Sequence, residues 1–429
     1  MRRTMRHICF WEPKIMTHIA VLGAGITGVT TAFNLLERGF EVTIFDRNRY
    51  AAMETSFANG GQLSASNAEV WNTFATVLKG MKWMLQKQAP LLINPRPGWH
   101  KASWMAEFLG NIPNYKRNTI ATTRMAIAAR PMLIEMAERA GIDFDLERRG
   151  ILHFYRDEKT LAQGRKVSKL LAEGGLERTE LSGAEVIARE PTLHGTFAGG
   201  FWTESDMTGD IHKFTIALAK WLGQQGVTLK LGVPVETLST QSDGVRVNGT
   251  KFDGVVVAAG VASRWMAHEL GDRVNVYPVK GYSLTIPLED EVSQNAAPWV
   301  SLLDEKSKIV TSRLGLKRFR IAGTAEFNGD NRDIRADRIK PLVEWVEKLF
   351  PDVCTEQSVP WAGLRPMMPA MMPRVGRGHH ARVFYNTGHG HLGWTLSGAT
   401  AATVSDVVAQ ALRPSSSAAS TGVTPELAA

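Results

Sequence analysis

Cysteine is nearly absent: the 429 residues hold two, Cys9 and Cys354, far apart and in no Cys-x-x-Cys pair. Neither a disulfide framework nor a cysteine-ligated zinc site is available, and a reducing, cytoplasmic compartment is the natural reading. No apolar run is long enough to cross a bilayer, so no transmembrane helix is expected. The basic residues form no long block, which removes the usual footprint of a nucleic-acid binder. No repeat of solenoid period occurs. What is there suits a globular chain: 44% of residues are hydrophobic, 21% are charged, and the net charge of +8 favours anionic ligands without demanding them. Met1–Met16 carries four Lys or Arg side chains around Pro13 without an apolar core, unlike a signal peptide. Residues 1–16 are expected to be a disordered extension, and 414–429, mostly Ser, Ala, Thr and Pro, a disordered tail.

The first strong element is the β-branched run His18–Leu22, followed at once by Gly23-Ala-Gly25-Ile26-Thr27-Gly28 and a helical stretch. Gly23 permits a tight turn, Gly25 lets the backbone approach a pyrophosphate, and Gly28 lets helix and strand lie close. The helix N-terminus then offers unpaired N–H groups to the phosphates. A second strand ends at Asp46, 18 residues after Gly28, followed by Arg47. An acid there accepts from a ribose diol and repels a 2′-phosphate, favouring NAD or FAD over NADP.

Further residues bear on that choice. Ten residues after Asp46 the chain enters a small, polar loop, Ser56-Phe-Ala-Asn59-Gly60-Gly61-Gln62-Leu63-Ser64. Such a loop brings backbone N–H groups against a flavin or its ribityl chain, which a nicotinamide enzyme would not need there. Two distant stretches read as later parts of the same domain. Val227–Leu231, Val235 and the apolar strand ending at Ala259-Gly260 form one; Ala381–Thr387 with the turn Gly388-His389-Gly390-His391-Leu392-Gly393 and a following helix form the other. His389 and His391 also pose as a metal pair, but nothing completes the ligand set and no metal is expected. Between these pieces lie a helix-rich segment and a strand-rich one.

The glycine motif, the Ser56–Ser64 loop, Val279-Lys-Gly-Tyr282-Ser-Leu, Ile321-Ala-Gly-Thr-Ala-Glu326, Trp361-Ala-Gly-Leu-Arg365-Pro and Asn386-Thr-Gly-His-Gly-x-Leu-Gly-Trp394 together resemble the bacterial D-amino acid dehydrogenases. These stand within the FAD-dependent group of D-amino acid oxidase, glycine oxidase and sarcosine oxidase. The resemblance runs from about His18 to about Leu412. It implies an α/β fold: a discontinuous Rossmann-type FAD-binding domain (17–70, 191–273 and 361–413) and a mainly antiparallel substrate domain with helices (71–190 and 274–360). The implied reaction is oxidative deamination of D-amino acids to 2-oxo acids and ammonia, with hydride passing from Cα to flavin N5. FAD would be non-covalent, because the late cysteine used for tethering by some sarcosine oxidases is missing.

By the same resemblance Arg365 clamps the substrate carboxylate and Tyr282 adds a phenol hydrogen bond; His391, a departure standing where a smaller polar residue is usual, joins the expected catalytic set as a residue that reaches the site. The cofactor set comprises the glycine-motif residues, Asp46, Arg47, Ser56, Asn59, Gly60, Gln62, Leu63, Val235, Ala259, Gly260 and residues 388–393. One departure concerns Met367-Met368-Pro369-Ala370-Met371-Met372-Pro373, which replaces a Thr-Pro-Asp-Gly-like turn and reads either as a pliable apolar pocket or as core filling. Trp83, Trp99 and Trp104 stand among lysines and read either as internal packing or as a peripheral contact with the inner membrane, where a quinone or another acceptor takes the electrons. The alternatives are action on glycine, sarcosine or cyclic amino acids such as hydroxy-D-proline, and an FAD-binding subunit of a hetero-oligomeric dehydrogenase. The oligomeric state is left open.

Overall fold

The structure, a computed structural model, describes residues 16–83 and 90–412. The expected extension up to residue 15, the expected tail and Cys9 lie outside these residues.

Five parallel strands and one antiparallel edge strand form the first sheet, in the order Arg374–Arg377, Val383–Thr387, Gly254–Val257, His18–Leu22, Glu41–Asp46, Thr228–Leu231. Because side chains alternate along a strand, His18–Leu22 is buried on both faces. Ile19 and Val21 pack against the helices Ile26–Glu37, Ile211–Gln224 and Gly393–Leu412. Ala20 and Leu22 pack towards an antiparallel meander of Leu238–Gln241, Gly244–Val247 and Thr250–Phe252. This doubly covered sheet is the expected Rossmann-type layer.

A nine-stranded sheet forms the second layer. Its main path runs Val359–Met367, Tyr277–Pro287, Arg318–Phe327, Ile309–Arg313, Ser301–Asp304, Ile151–Tyr155, Gly199–Thr203, Thr179–Ser182, and Leu91–Ile93 pairs with Arg318–Phe327 off this path. Most pairs are antiparallel, as expected. One face buries Leu284, Ile286, Phe319 and Ile321 against the helix Ala336–Leu349 through Leu342, Trp345 and Val346.

The strands depart from the expected boundaries in two places. Gly199–Thr203 and Val359–Met367, read with the dinucleotide part, both belong to the nine-stranded sheet. Conversely the helix Tyr115–Ala140, read with the substrate part, packs Leu133, Met136 and Ala137 into the core of the parallel sheet. A short apolar strand has the same composition in either sheet, and only its pairing partner separates the two cases.

Candidate functional site

A cavity of about 1740 Å³ lies between the two layers, and its wall draws on the ends of the parallel strands and on the nine-stranded sheet. The glycine motif begins it. Gly23 has φ +113°, and a Cβ there would meet the Ala258 carbonyl oxygen at 2.5 Å. Gly28 does not line the cavity; its missing Cβ would lie 1.8 Å from the Gly23 oxygen, so it sets how closely the helix Ile26–Glu37 approaches the turn. Gly25, Ile26 and Thr27 line the wall, and Ser56 Oγ accepts from the Ile26 N–H at 3.1 Å. Asp46 lines it too, with Oδ2 accepting from the Ala24 N–H and Oδ1 from the Asn48 N–H, both at 2.8 Å. Arg47 is paired with Glu54.

The Ser56–Ser64 loop bridges the layers. Asn59 Oδ1 accepts from the Gly61 N–H at 2.9 Å, and a Cβ on Gly60 would meet Val310 Cγ2 at 2.7 Å. Gln62 borders the cavity, but its amide nitrogen is committed to Ser301 Oγ, Leu302 O and Thr311 O, so it ties the loop to the sheet. Leu63, expected at the cofactor, is fully buried in the core instead and does not line the cavity, because strand alternation turns it away from Gln62. Val235, Ala259, Gly260 and the whole turn from Gly388 to Gly393 line the cavity. The turn stands on methionines: a Cβ on Gly388 would meet Met368 Cγ at 2.4 Å, and one on Gly390 would meet Met367 Sδ at 2.7 Å. Neither these two nor Met371 and Met372 line the cavity, which makes the methionine stretch core filling rather than a pocket.

Arg365 projects into the cavity above Gly281, where a Cβ would meet its Cζ at 2.3 Å. One Nη donates to the Thr324 carbonyl at 2.9 Å, and no carboxylate of the described residues forms an ion pair with it. Burial alone lowers its pKa to about 10, so it stays cationic at neutral pH and ready for an anion. Tyr282 borders the same cavity, but its hydroxyl is not directed at Arg365. The Tyr282 hydroxyl donates to Glu326 Oε2 at 2.8 Å on the sheet's core face, where Lys280 stands 3.5 Å from the same carboxylate.

His391 reaches the wall, yet its ring is engaged as packing. Nε2 donates to the Asn67 carbonyl at 3.2 Å, Nδ1 is buried without a partner, and the ring stacks on Trp71 at 4.7 Å. Burial lowers its pKa to about 4. His389 is turned into the core, 2.9 Å from Thr400 Oγ1, with its pKa lowered by burial to about 3. With Nε2 donating, Nδ1 is the acceptor nitrogen of His391, and among the described residues no cluster of His, Cys, Asp or Glu fits a metal.

The sequence reading missed a polar wall. Glu69 accepts from the Tyr115 hydroxyl at 2.6 Å; Lys308 pairs with Glu305, which also meets His153 Nδ1 at 3.2 Å. All five border the cavity. Glu69, Tyr115, His153 and the Glu305–Lys308 turn lie on separate segments, so no local pattern in the sequence marks them.

This cradle fits a flavin dinucleotide: glycines stand wherever a Cβ would fill the turn, and a helix N-terminus opens onto the cavity. The sequence pattern of the FAD dependent oxidoreductase family matches residues 18–407, and the chain belongs to that family. It is an FAD-dependent enzyme. It is 57% identical over 401 residues to D-amino acid dehydrogenase 3 of Mesorhizobium japonicum, spanning 92% of this chain and 97% of that one. With the D-amino acid dehydrogenase of Paramagnetospirillum magneticum it shares 38% over 405 residues, 91% and 94% of the two chains. Among solved structures, glycine oxidase from Geobacillus kaustophilus superposes with a TM-score of 0.71 at 21% identity, covering 92% of this chain and 95% of that one. L-proline dehydrogenase from P. horikoshii gives 0.70 at 16%, covering 92% and 94%. These two likenesses show the fold.

Proposed function

We propose that this enzyme oxidises D-amino acids to 2-oxo acids and ammonia, as a D-amino acid dehydrogenase. The observation that carries the reading is Arg365, a half-buried guanidinium with no acid partner among the described residues, facing the same cavity as the dinucleotide cradle. A guanidinium takes a carboxylate bidentately and so fixes Cα as well as supplying charge. Bound FAD, held non-covalently by the 23–28 motif, the 56–62 loop, residues 259–260 and the 388–393 turn, supplies the hydride acceptor. The described cysteine, Cys354, is exposed and does not border the cavity. Hydride leaves Cα once the amine is neutral, and the imine then hydrolyses in water. The small-residue walls at 388–393 and 56–62 would let main-chain N–H groups approach the ring, where they would favour negative charge.

The electrons pass to a quinone or another acceptor through peripheral contact with the inner membrane from the cytoplasmic side. Three large apolar side chains, Phe74, Leu78 and Trp99, are exposed close in sequence to Lys79 and Lys101, which supports that reading. Trp104 does not take part, being buried with Nε1 donating to the Met367 carbonyl. No helix among the described residues is long and apolar enough to cross a membrane.

The test is anaerobic mixing of the purified holoenzyme with D- and L-amino acids, glycine and sarcosine while the flavin band is followed. Bleaching by D-amino acids supports the reading. Bleaching by glycine or sarcosine alone replaces it with an N-substituted amine enzyme, and no bleaching replaces it with a partner-dependent subunit.

A further inference from the structure

The strand Val359–Met367 pairs with Tyr277–Pro287 without interruption, Val279 opposite Arg365 and Gly281 opposite Gly363. On its other edge Tyr277–Pro287 meets Arg318–Phe327 with a break in register. Tyr282 stands opposite Gly323 and Lys280 opposite Glu326, so Thr324 and Ala325 both face the single residue Gly281. That is a β-bulge, two residues against one. Thr324 has φ +59°, in the left-handed region that a β-branched side chain rarely enters. Its hydroxyl is also buried without a hydrogen-bond partner among the described residues. Backbone strain and an unsatisfied donor both cost stability, and here they coincide on one residue of the cavity wall.

The distortion changes where the main chain of Thr324 points. In a regular strand the carbonyls lie in the sheet and meet the neighbouring strands. At the bulge the Thr324 carbonyl accepts from Arg365 Nη1 at 2.9 Å, and the Ala325 N–H goes to the Pro90 carbonyl at 2.7 Å. Arg365 belongs to the strand on the far side of Tyr277–Pro287, so its side chain crosses that strand to reach Thr324. It crosses at Gly281, where a Cβ would lie 2.3 Å from Cζ and Nη2 and 2.5 Å from Nη1. Val279 and Ser283, next to Gly281 on the same face, both carry side chains, so the glycine is the gap in that face.

We propose that Thr324 and Gly281 are positioning residues for the carboxylate clamp: the Thr324 carbonyl pins one Nη of Arg365 across the gap at Gly281 and leaves the rest of the fork free for the substrate's α-carboxylate. This rests on Arg365 being that clamp. A guanidinium presents its N–H donors in one rigid plane, so a bond to a fixed carbonyl, with the sheet directly beneath, sets the plane of the remaining donors. A pre-set side chain has less rotamer freedom to lose when the carboxylate arrives. A carbonyl suits the task better than an acid, because it orients the cation without neutralising it and the charge stays available to the ligand. The strain at Thr324 is then the cost of turning that carbonyl out of the ladder.

The experiment measures the affinity of the holoenzyme for pyruvate by calorimetry, beside KM and kcat for a D-amino acid and a melting curve. Pyruvate offers the carboxylate without an amine to oxidise. In Gly281→Ala the new methyl meets the far end of a flexible side chain, so the fold and the yellow cofactor should persist while the guanidinium is displaced. Kd for pyruvate and KM should both rise about tenfold or more, the order of one misplaced charge-assisted contact, with kcat changed less than KM and the melting temperature unchanged. Deletion of Thr324 restores one-to-one pairing opposite Gly281 and takes the carbonyl away; it should weaken pyruvate binding in the same way. Unchanged pyruvate affinity in either folded variant overturns the proposal. If neither variant folds around flavin, both residues belong to the fold and the positioning role falls. Arg365→Ala separates the two readings: if it weakens pyruvate binding while Gly281→Ala does not, the positioning role alone is lost, and if it leaves binding unchanged, or the wild type binds no pyruvate, the clamp falls and the proposal with it.

Discussion

Arg365 and Tyr282 stand on opposite faces of one antiparallel strand pair. Val279 is paired with Arg365 and Tyr282 with Ala362, so residues 279, 281 and 283 share a face with the guanidinium, while 280, 282 and 284 face the helix-covered core. The phenol therefore donates to Glu326, which is 3% exposed, although Tyr282 also borders the cavity.

Tyr282→Phe should accordingly leave KM for a D-amino acid within about twofold while lowering thermal stability. Removing a donor from a buried carboxylate costs about 1–3 kcal/mol. Steady-state kinetics beside a melting curve separates the two effects; a large rise in KM at unchanged melting temperature would restore the phenol to the site.

Arg365→Ala should raise KM for every amino acid substrate by about a hundredfold or more, the scale of a lost bidentate charge pair, with the yellow holoenzyme still formed. Arg365→Lys should recover only part of this, because an ammonium cannot reproduce the planar fork. Loss of flavin in both variants would instead make Arg365 a structural support.

Gly28→Ala should yield colourless protein or none, since the new methyl would lie 1.8 Å from the Gly23 oxygen. Gly39→Ala is the contrast. Gly39 has φ +77° with nothing within 4 Å of the added atom, so the cost is backbone strain of about 1–2 kcal/mol and flavin uptake should persist. Equal flavin loss in both would detach the glycine motif from cofactor binding.

Stability should fall as pH drops below about 6.5. His389 is buried and its pKa is lowered from 6.5 to about 3. Above 6.5 it is neutral in both folded and unfolded chains, and its contribution is full. Between 6.5 and about 3 the unfolded chain binds a proton that the fold refuses, which costs about 1.4 kcal/mol per pH unit. His391, lowered to about 4, acts in the same direction. Melting temperatures from pH 7 to pH 4 should decline, and less steeply in His389→Asn; identical slopes would show that other groups govern acid unfolding.

The dinucleotide layer was legible because its signals are local: glycines at fixed offsets after a strand, then an acid closing the next. Arg365 was legible through the motif that carries it. The face of Tyr282 was not, since alternation says that neighbours diverge but only the pairing with Val359–Met367 says which side is the core. His391 was placed correctly on the wall, while its engagement by Asn67 and Trp71 depends on contacts more than three hundred residues away in sequence. Glu69 escaped notice for the same reason, its partner Tyr115 lying on a helix that begins 46 residues later.

Met367 forms an isolated bridge with His389, and Met367 and Met368 lie beneath Gly390 and Gly388. The carboxylate clamp and the glycine turn are thereby fastened into one tongue that joins the two layers. Drift in diet has little room there, because any change moves anchor and cofactor wall together.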